Sequence, residues 1–111
     1  MASIIVSADT LRSLAFGSIS GSYAAIGTAF THPMRIIKIV NTCNTDMLIS
    51  FDGTNDNDIV PAGGFTLYDF CTNKDNENGW FFRVGTIVYV KQVSAPGSGT
   101  VYVSAFYGMG E

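Results

Sequence analysis

Residues 83–107 read RVGTIVYVKQVSAPGSGTVYVSAFY, two alternating runs separated by Ser94-Ala95-Pro96-Gly97-Ser98-Gly99. In the first run Ile87, Tyr89, Lys91 and Val93 share one side of a pleat and Val88, Val90 and Gln92 the other. In the second, Val101, Val103, Ala105 and Tyr107 oppose Tyr102, Ser104 and Phe106. β-Branched and aromatic residues at period two are what a pleated surface selects. Pro96 lacks the N–H that a ladder needs, and Gly97 and Gly99 accept the positive φ of a tight reversal. The stretch is therefore expected to form a β-hairpin. A two-stranded ribbon is marginal in water, so the rest of the chain must supply strands to flank it.

Working outward, residues 80–84 (WFFRV) form a short aromatic strand, and residues 72–79 (TNKDNENG) are the most polar stretch, an exposed loop. Residues 65–71 (FTLYDFC) put Phe65 and Leu67 on one side of a strand and Tyr68 and Phe70 on the other. Residues 34–41 (MRIIKIVN) are the most β-like run of the first half. After a polar turn around Cys43, residues 46–52 (DMLISFD) alternate Met47, Ile49 and Phe51 against Leu48, Ser50 and Asp52. These two runs are expected to pair as a second hairpin. Residues 53–58 (GTNDND) are a loop by composition, and residues 59–64 (IVPAGG) continue it to another reversal.

Residues 11–30 are rich in small side chains and interrupted by Gly17, Gly21 and Gly27. Each glycine would cost a helix interior about 1 kcal/mol relative to alanine, so two short strands fit better. Leu14 and Phe16 belong to the first, and Tyr23 with Ala25 or Ile26 to the second. Residues 108–111 read as a loose tail.

No segment sustains a 3.6-residue period. The expected fold is all-β, a jelly-roll-like β-sandwich of about eight short antiparallel strands. A chain of 111 residues builds one core. The sandwich is assigned to residues 11–111 and an N-terminal arm to residues 1–10. Within the arm, Ile4-Ile5-Val6 has no turn partner in sequence. It either orders against another molecule or is an edge strand or frayed terminus.

Charged residues make up 14% of the chain, against roughly 25% in an average soluble domain, which points either to surface reserved for partners or to a compact all-β domain that hides apolar residues on both sides of a sandwich. The net charge is −3, and Arg12, Arg35, Lys38, Lys74, Arg83 and Lys91 are scattered, so nucleic acid is not an expected partner. No apolar run approaches a membrane span and the N-terminus lacks a signal-peptide pattern. The sequence reads as a soluble protein made in a cytoplasm. In that compartment Cys43 and Cys71 are read as two buried thiols in preference to a pair.

Catalytic chemistry is thinly represented. His32 is the single histidine and precedes Pro33 at the start of a strand, where a structural role outweighs that of a base without a nucleophile elbow. Cys43, Cys71 and His32 fall one ligand short of a structural zinc site. Asp52, Asn55, Asp56, Asn57 and Asp58 gather hard oxygens that suit calcium, but they are also the residues of any tight β-turn, and the spacing is not that of an EF-hand. No catalytic residue, metal or cofactor is expected. Aromatics reach 13%, and Trp80, Tyr89, Tyr102 and Tyr107 suit either a glycan-stacking surface or a core and self-association surface.

From Met34 onward, the phrases RIIKIVNTCNTDMLISFDG, DIVPAGGF, GTIVYVKQ and SGTVYVSAFYG resemble small virion proteins of tailed bacteriophages, in size and character the capsid cement or staple proteins of short-tailed phages. The resemblance implies a jelly-roll-like sandwich without catalytic residues. It would bind the outside of the assembled icosahedral capsid in the virion and staple neighbouring major capsid subunits. The expected partners are the major capsid protein and the chain itself, as a homodimer or a trimer. Ile4, Ile5 and Val6 are the expected capsid contacts. The alternative is a tail- or fibre-associated module that binds host cell-surface glycan through Trp80 and Tyr102.

Overall fold

Alternation at period two makes each strand apolar on one side, and two sheets laid face to face bury those sides together. The computed structural model describes residues 4–70 and 82–110. They form nine strands: β1 (Ile4–Ala8), β2 (Arg12–Ala15), β3 (Ala24–Ala25), β4 (Ile36–Asn41), β5 (Met47–Ser50), β6 (Asp58–Val60), β7 (Phe65–Asp69), β8 (Tyr89–Gln92) and β9 (Thr100–Gly110). One turn of 3₁₀ helix, Phe16–Ser18, follows β2. One sheet has the order β2–β9–β4–β7, with β1 continuing the outer edge of β9 beyond β2; the other has the order β3–β8–β5–β6. Every strand pairing among the described residues is antiparallel. The fold is an all-β sandwich.

The core lies between the sheets. Ile37 and Ile39 of β4 and Val101, Val103 and Ala105 of β9 face Met47 and Ile49 of β5, Val90 of β8 and Val60 of β6, all buried. Phe30, Met34, Ile26, Val88 and Cys43 complete it from the connections. Each large side chain so buried stabilises the fold by ~1.5–3 kcal/mol relative to exposure. Phe51, Tyr68 and Phe70 gather around Phe82 at ring-centroid distances of 4.9, 5.8 and 5.4 Å and close one side of the sandwich.

Both expected hairpins are absent. β8 and β9 lie in opposite sheets, and so do β4 and β5, so residues 93–99 and 42–46 are arches that cross the gap. The reason is energetic. A hairpin would put the apolar sides of both its arms on one sheet, whereas an arch places the Val88 and Val90 side opposite the Val101 and Val103 side, where each covers the other. The arches are pinned by polar groups that the sequence supplies locally. Buried Asn41 donates through Nδ2 to the carbonyls of Thr45, Val60 and Pro61 at 2.9, 3.1 and 3.2 Å, and its Oδ1 accepts the Cys43 N–H at 2.9 Å. The two arches also bind one another. The Thr42 hydroxyl donates to the Thr100 carbonyl and accepts the Thr100 N–H, both at 2.8 Å, and the Gly97 N–H donates to Asn44 Oδ1.

Three further readings need correction. Residues 108–110 are no tail but the end of β9, paired with Val6, Ile5 and Ile4. Residues 58–60, assigned to a loop and reversal, form β6. Of the aromatic run at 80–84, Phe82 makes an isolated bridge to Met34, Arg83 and Val84 leave the sheet, and Trp80 and Phe81 lie outside the described residues.

Residues 11–30 are held by Arg12, whose side chain is 8% exposed. Its Nε donates to the Thr28 carbonyl at 2.8 Å, Nη1 meets the Asp9 carboxylate at 2.9 Å, and the guanidinium lies 4.9 Å from the Phe30 ring centroid. Phe16 falls in the 3₁₀ turn and not in the first strand.

Candidate interaction surfaces

The residues singled out for chemistry are dispersed. The His32 ring stacks on Tyr107 of β9, centroids 3.9 Å apart and planes within 3°, with Nδ1 3.2 Å from the Thr31 hydroxyl. Cys43 is buried beneath the arches and burial pushes its thiol up, away from the thiolate that a nucleophile needs. Cys71 lies outside the described residues. Among the described residues no three of His, Cys, Asp and Glu converge as a metal site, and no helix is long and apolar enough to cross a membrane.

The acidic loop after β5 turns its oxygens inward. Asp52 accepts the Thr54 and Asn55 N–H groups, both at 2.9 Å, the Asn55 amide at 2.8 Å and the Ser50 hydroxyl at 2.8 Å. The backbone donors of Asn55 and Thr54, followed by those side chains, hold its carboxyl well below the usual range. Asn57 Oδ1 accepts the Phe51 N–H, and Asp58 takes its own neighbour's N–H and the Tyr68 hydroxyl. Asp56 accepts the Tyr23 hydroxyl and pairs with Lys91 Nζ at 3.2 Å, while Lys91 stands 4.7 Å from the Tyr23 ring centroid. Burial first, and Asp56 second, push Tyr23 up to about 12. The loop is thus an internally bonded turn, with the geometry of a cap over the second sheet.

Beside it, Phe51, Asp52, Tyr89 and residues 83–87 line an open depression of about 450 Å³. Gly53, at φ +79°, lets the loop lie flat on Tyr89: a Cβ there would stand 3.2 Å from the ring's Cζ.

The outer faces of the two sheets differ in kind. On the β3–β8–β5–β6 sheet, Lys91 lies opposite Leu48 and Leu48 opposite Ile59, with the Tyr23–Asp56–Lys91 cluster over one end. On the β2–β9–β4–β7 sheet, register lines up Phe65, Val40, Tyr102 and Ser13 in one row, Leu67, Lys38 and Ser104 in the next, and Asp69, Ile36, Phe106 and Ala8 in a third. Phe65 is 63% exposed and Leu67 52%. Leu11, just before β2, is 55% exposed and Val6 of β1 70%. Apolar side chains therefore dominate a face that looks into solvent.

Of the expected contacts, Val6 is on this surface. Ile4 and Ile5 are paired in β1, but their side chains lie outside what is described, as does Trp80. Tyr102 is half-buried in the first row and does not stand clear as a stacking platform. Phe65 and Leu67 were legible as one side of a strand but not as interaction residues; the signal was an apolar pair on the side of β7 opposite the inward Tyr68.

Comparison with protein-family models, curated proteins and solved structures finds no match for the chain. What its own geometry defines is a two-sheet β-sandwich whose acidic loop is engaged internally and whose first sheet presents an apolar outer face.

Proposed function

We propose that the chain is a non-enzymatic virion protein of the jelly-roll type that binds the outside of an icosahedral capsid and staples neighbouring major capsid subunits. The observation that carries this reading is strand order. Counting from β2, the eight strands are divided between the sheets as 1-8-3-6 and 2-7-4-5, an order that supports a reading as two nested Greek keys, the arrangement of viral capsid and lectin jelly rolls. The distribution of polar groups agrees with binding in preference to catalysis, because the carboxylates of the acidic loop are engaged within the loop and with the sandwich. A protein that binds only the assembled lattice stabilises it by mass action, and a lattice offers its sites repeatedly.

The test is co-sedimentation of the purified chain with empty, undecorated capsids of its own phage, followed by heat challenge. Saturable binding at a fixed ratio to the major capsid subunit, with raised shell stability, is the expected result. Absence of binding removes the proposal.

The depression beside Tyr89 favours a second reading, glycan recognition by a tail- or fibre-associated module. The Tyr89 ring and the Arg83 guanidinium are groups that position a sugar, Asp52 being engaged within its own loop. A glycan-array signal abolished by Tyr89→Ala and retained in Tyr102→Ala would place recognition there and not on the first sheet.

A further inference from the structure

Building on the glycan reading of the depression beside Tyr89, we infer that its ligand is a carboxylated sugar, whose carboxylate meets the Arg83 guanidinium while its ring lies against Tyr89.

Charge decides the class. Asp52 and Arg83 line the same depression, yet the ion pairs among the described residues join Arg12 to Asp9 and Lys91 to Asp56. The Asp52 oxygens accept the Thr54 and Asn55 N–H groups, the Asn55 amide and the Ser50 hydroxyl, so the loop itself meets that charge. Exposed Arg83 is left with no carboxylate in reach among the described residues. A guanidinium at the wall of a depression without a counter-ion suits a planar anion, which it holds through two parallel N–H···O bonds. The chain carries a net charge of −3 and Asp52 stands in the same wall, so a single carboxylate fits better than a phosphate with its second charge.

Both contact groups are held in place by the fold. The Arg83 carbonyl accepts the Thr86 N–H at 3.2 Å and the Thr86 hydroxyl at 2.8 Å, and within that turn the Gly85 N–H donates to the Phe30 carbonyl at 2.8 Å, which ties the turn to the sandwich. Tyr89 is paired in β8 with Ser50 on one side and Ala25 on the other, and Gly53 lies close against its ring. Exposed Val84 adds apolar surface to the same wall, for the C–H groups of a sugar. A volume of about 450 Å³ falls within the ~300–1,000 Å³ of small-ligand sites and has room for a mono- or disaccharide.

The test is an amide chemical-shift titration of the full chain with methyl β-glucuronide and, in parallel, methyl β-glucoside, two probes that differ only in carboxylate against hydroxymethyl. The expected result is perturbation centred on residues 83–89, with the glucuronide bound about tenfold more tightly. Arg83→Gln should remove most of that preference and leave glucoside binding unchanged. Lys38→Gln, a cation on the outer face of the other sheet, should leave the preference intact. Circular dichroism verifies that each variant is folded. Equal affinity for the two glycosides, or a preference that survives Arg83→Gln, overturns the inference and leaves glycan recognition standing. Perturbation confined to the first sheet overturns it too, and no perturbation by either glycoside removes the glycan reading with it.

Discussion

A Cβ placed on Gly99 would stand 2.5 Å from the Cα of Cys43 and 2.5 Å from the carbonyl oxygen of Thr42. The arch leading into β9 thus rests backbone against backbone on the arch leading out of β4, and Gly99 adopts φ +104° to do so. Gly99→Ala adds both a clash and backbone strain, and neither neighbour can retreat without breaking the Thr42–Thr100 bonds. We expect a loss of about 3 kcal/mol or more in urea unfolding. Gly97→Ala is the control, because its nearest neighbour is the Asn44 amide at 3.6 Å and its φ is unexceptional.

Asn41 meets four main-chain groups with one side chain. Asn41→Ala strands three carbonyls and one N–H in or near the core, and we expect about 2–4 kcal/mol of destabilisation. Asn41→Asp tests the mechanism, since a carboxylate offers no donor to the Thr45, Val60 and Pro61 carbonyls. It should be no more stable than the alanine variant, and rescue by aspartate would mean that these donated bonds carry little.

The acidic loop gives the fold a pH signature. The Asp52 pKa is depressed in the folded state relative to an unfolded value near ~3.9. Its stabilisation is complete above the unfolded value and is lost as pH falls towards the folded one. The melting temperature should drop below about pH 4, and Asp52→Asn should flatten that drop. At the alkaline end the sign reverses. Tyr23 titrates at about 12 in the fold, above the ~10 of an unfolded tyrosine, so stability should fall across that window and less so in Tyr23→Phe. With the Asp52 oxygens committed to Ser50, Thr54 and Asn55, calcium and chelator should both leave the melting curve where it is.

Deleting residues 1–8 removes β1, whose partners are the last residues of β9; Val6, Ser7 and Ala8, the side chains described there, are not among the buried core. The truncated chain should remain cooperatively folded. On the capsid reading it should bind shells more weakly in the co-sedimentation assay, and full retention of binding would exclude this strand from the clamp.

Strand identity was largely legible because β5, β8 and β9 alternate at period two, and β4 and β7 are runs of β-branched and aromatic residues. Sheet membership was not. Ser94–Gly99 turns the chain whether it closes a hairpin or an arch, and the choice rests on which apolar side finds an opposing one, information held by residues far away in sequence. β3 and β6 were harder for another reason: at two and three residues they carry too little pattern, and Pro61 masks the end of β6. The internal satisfaction of the acidic loop was equally hidden, since an Asp-Asn-Gly composition is the same whether its oxygens face an ion or their own backbone.

β9 is eleven residues long and is paired along one side with β4 and along the other with β2 and β1. Tension applied along its axis must shear those hydrogen bonds together and cannot peel them away one at a time. A load delivered through the end of β9 is therefore shared along its whole ladder, while the same load drawn across the two-residue edge strand β3 would open its pairs one after another.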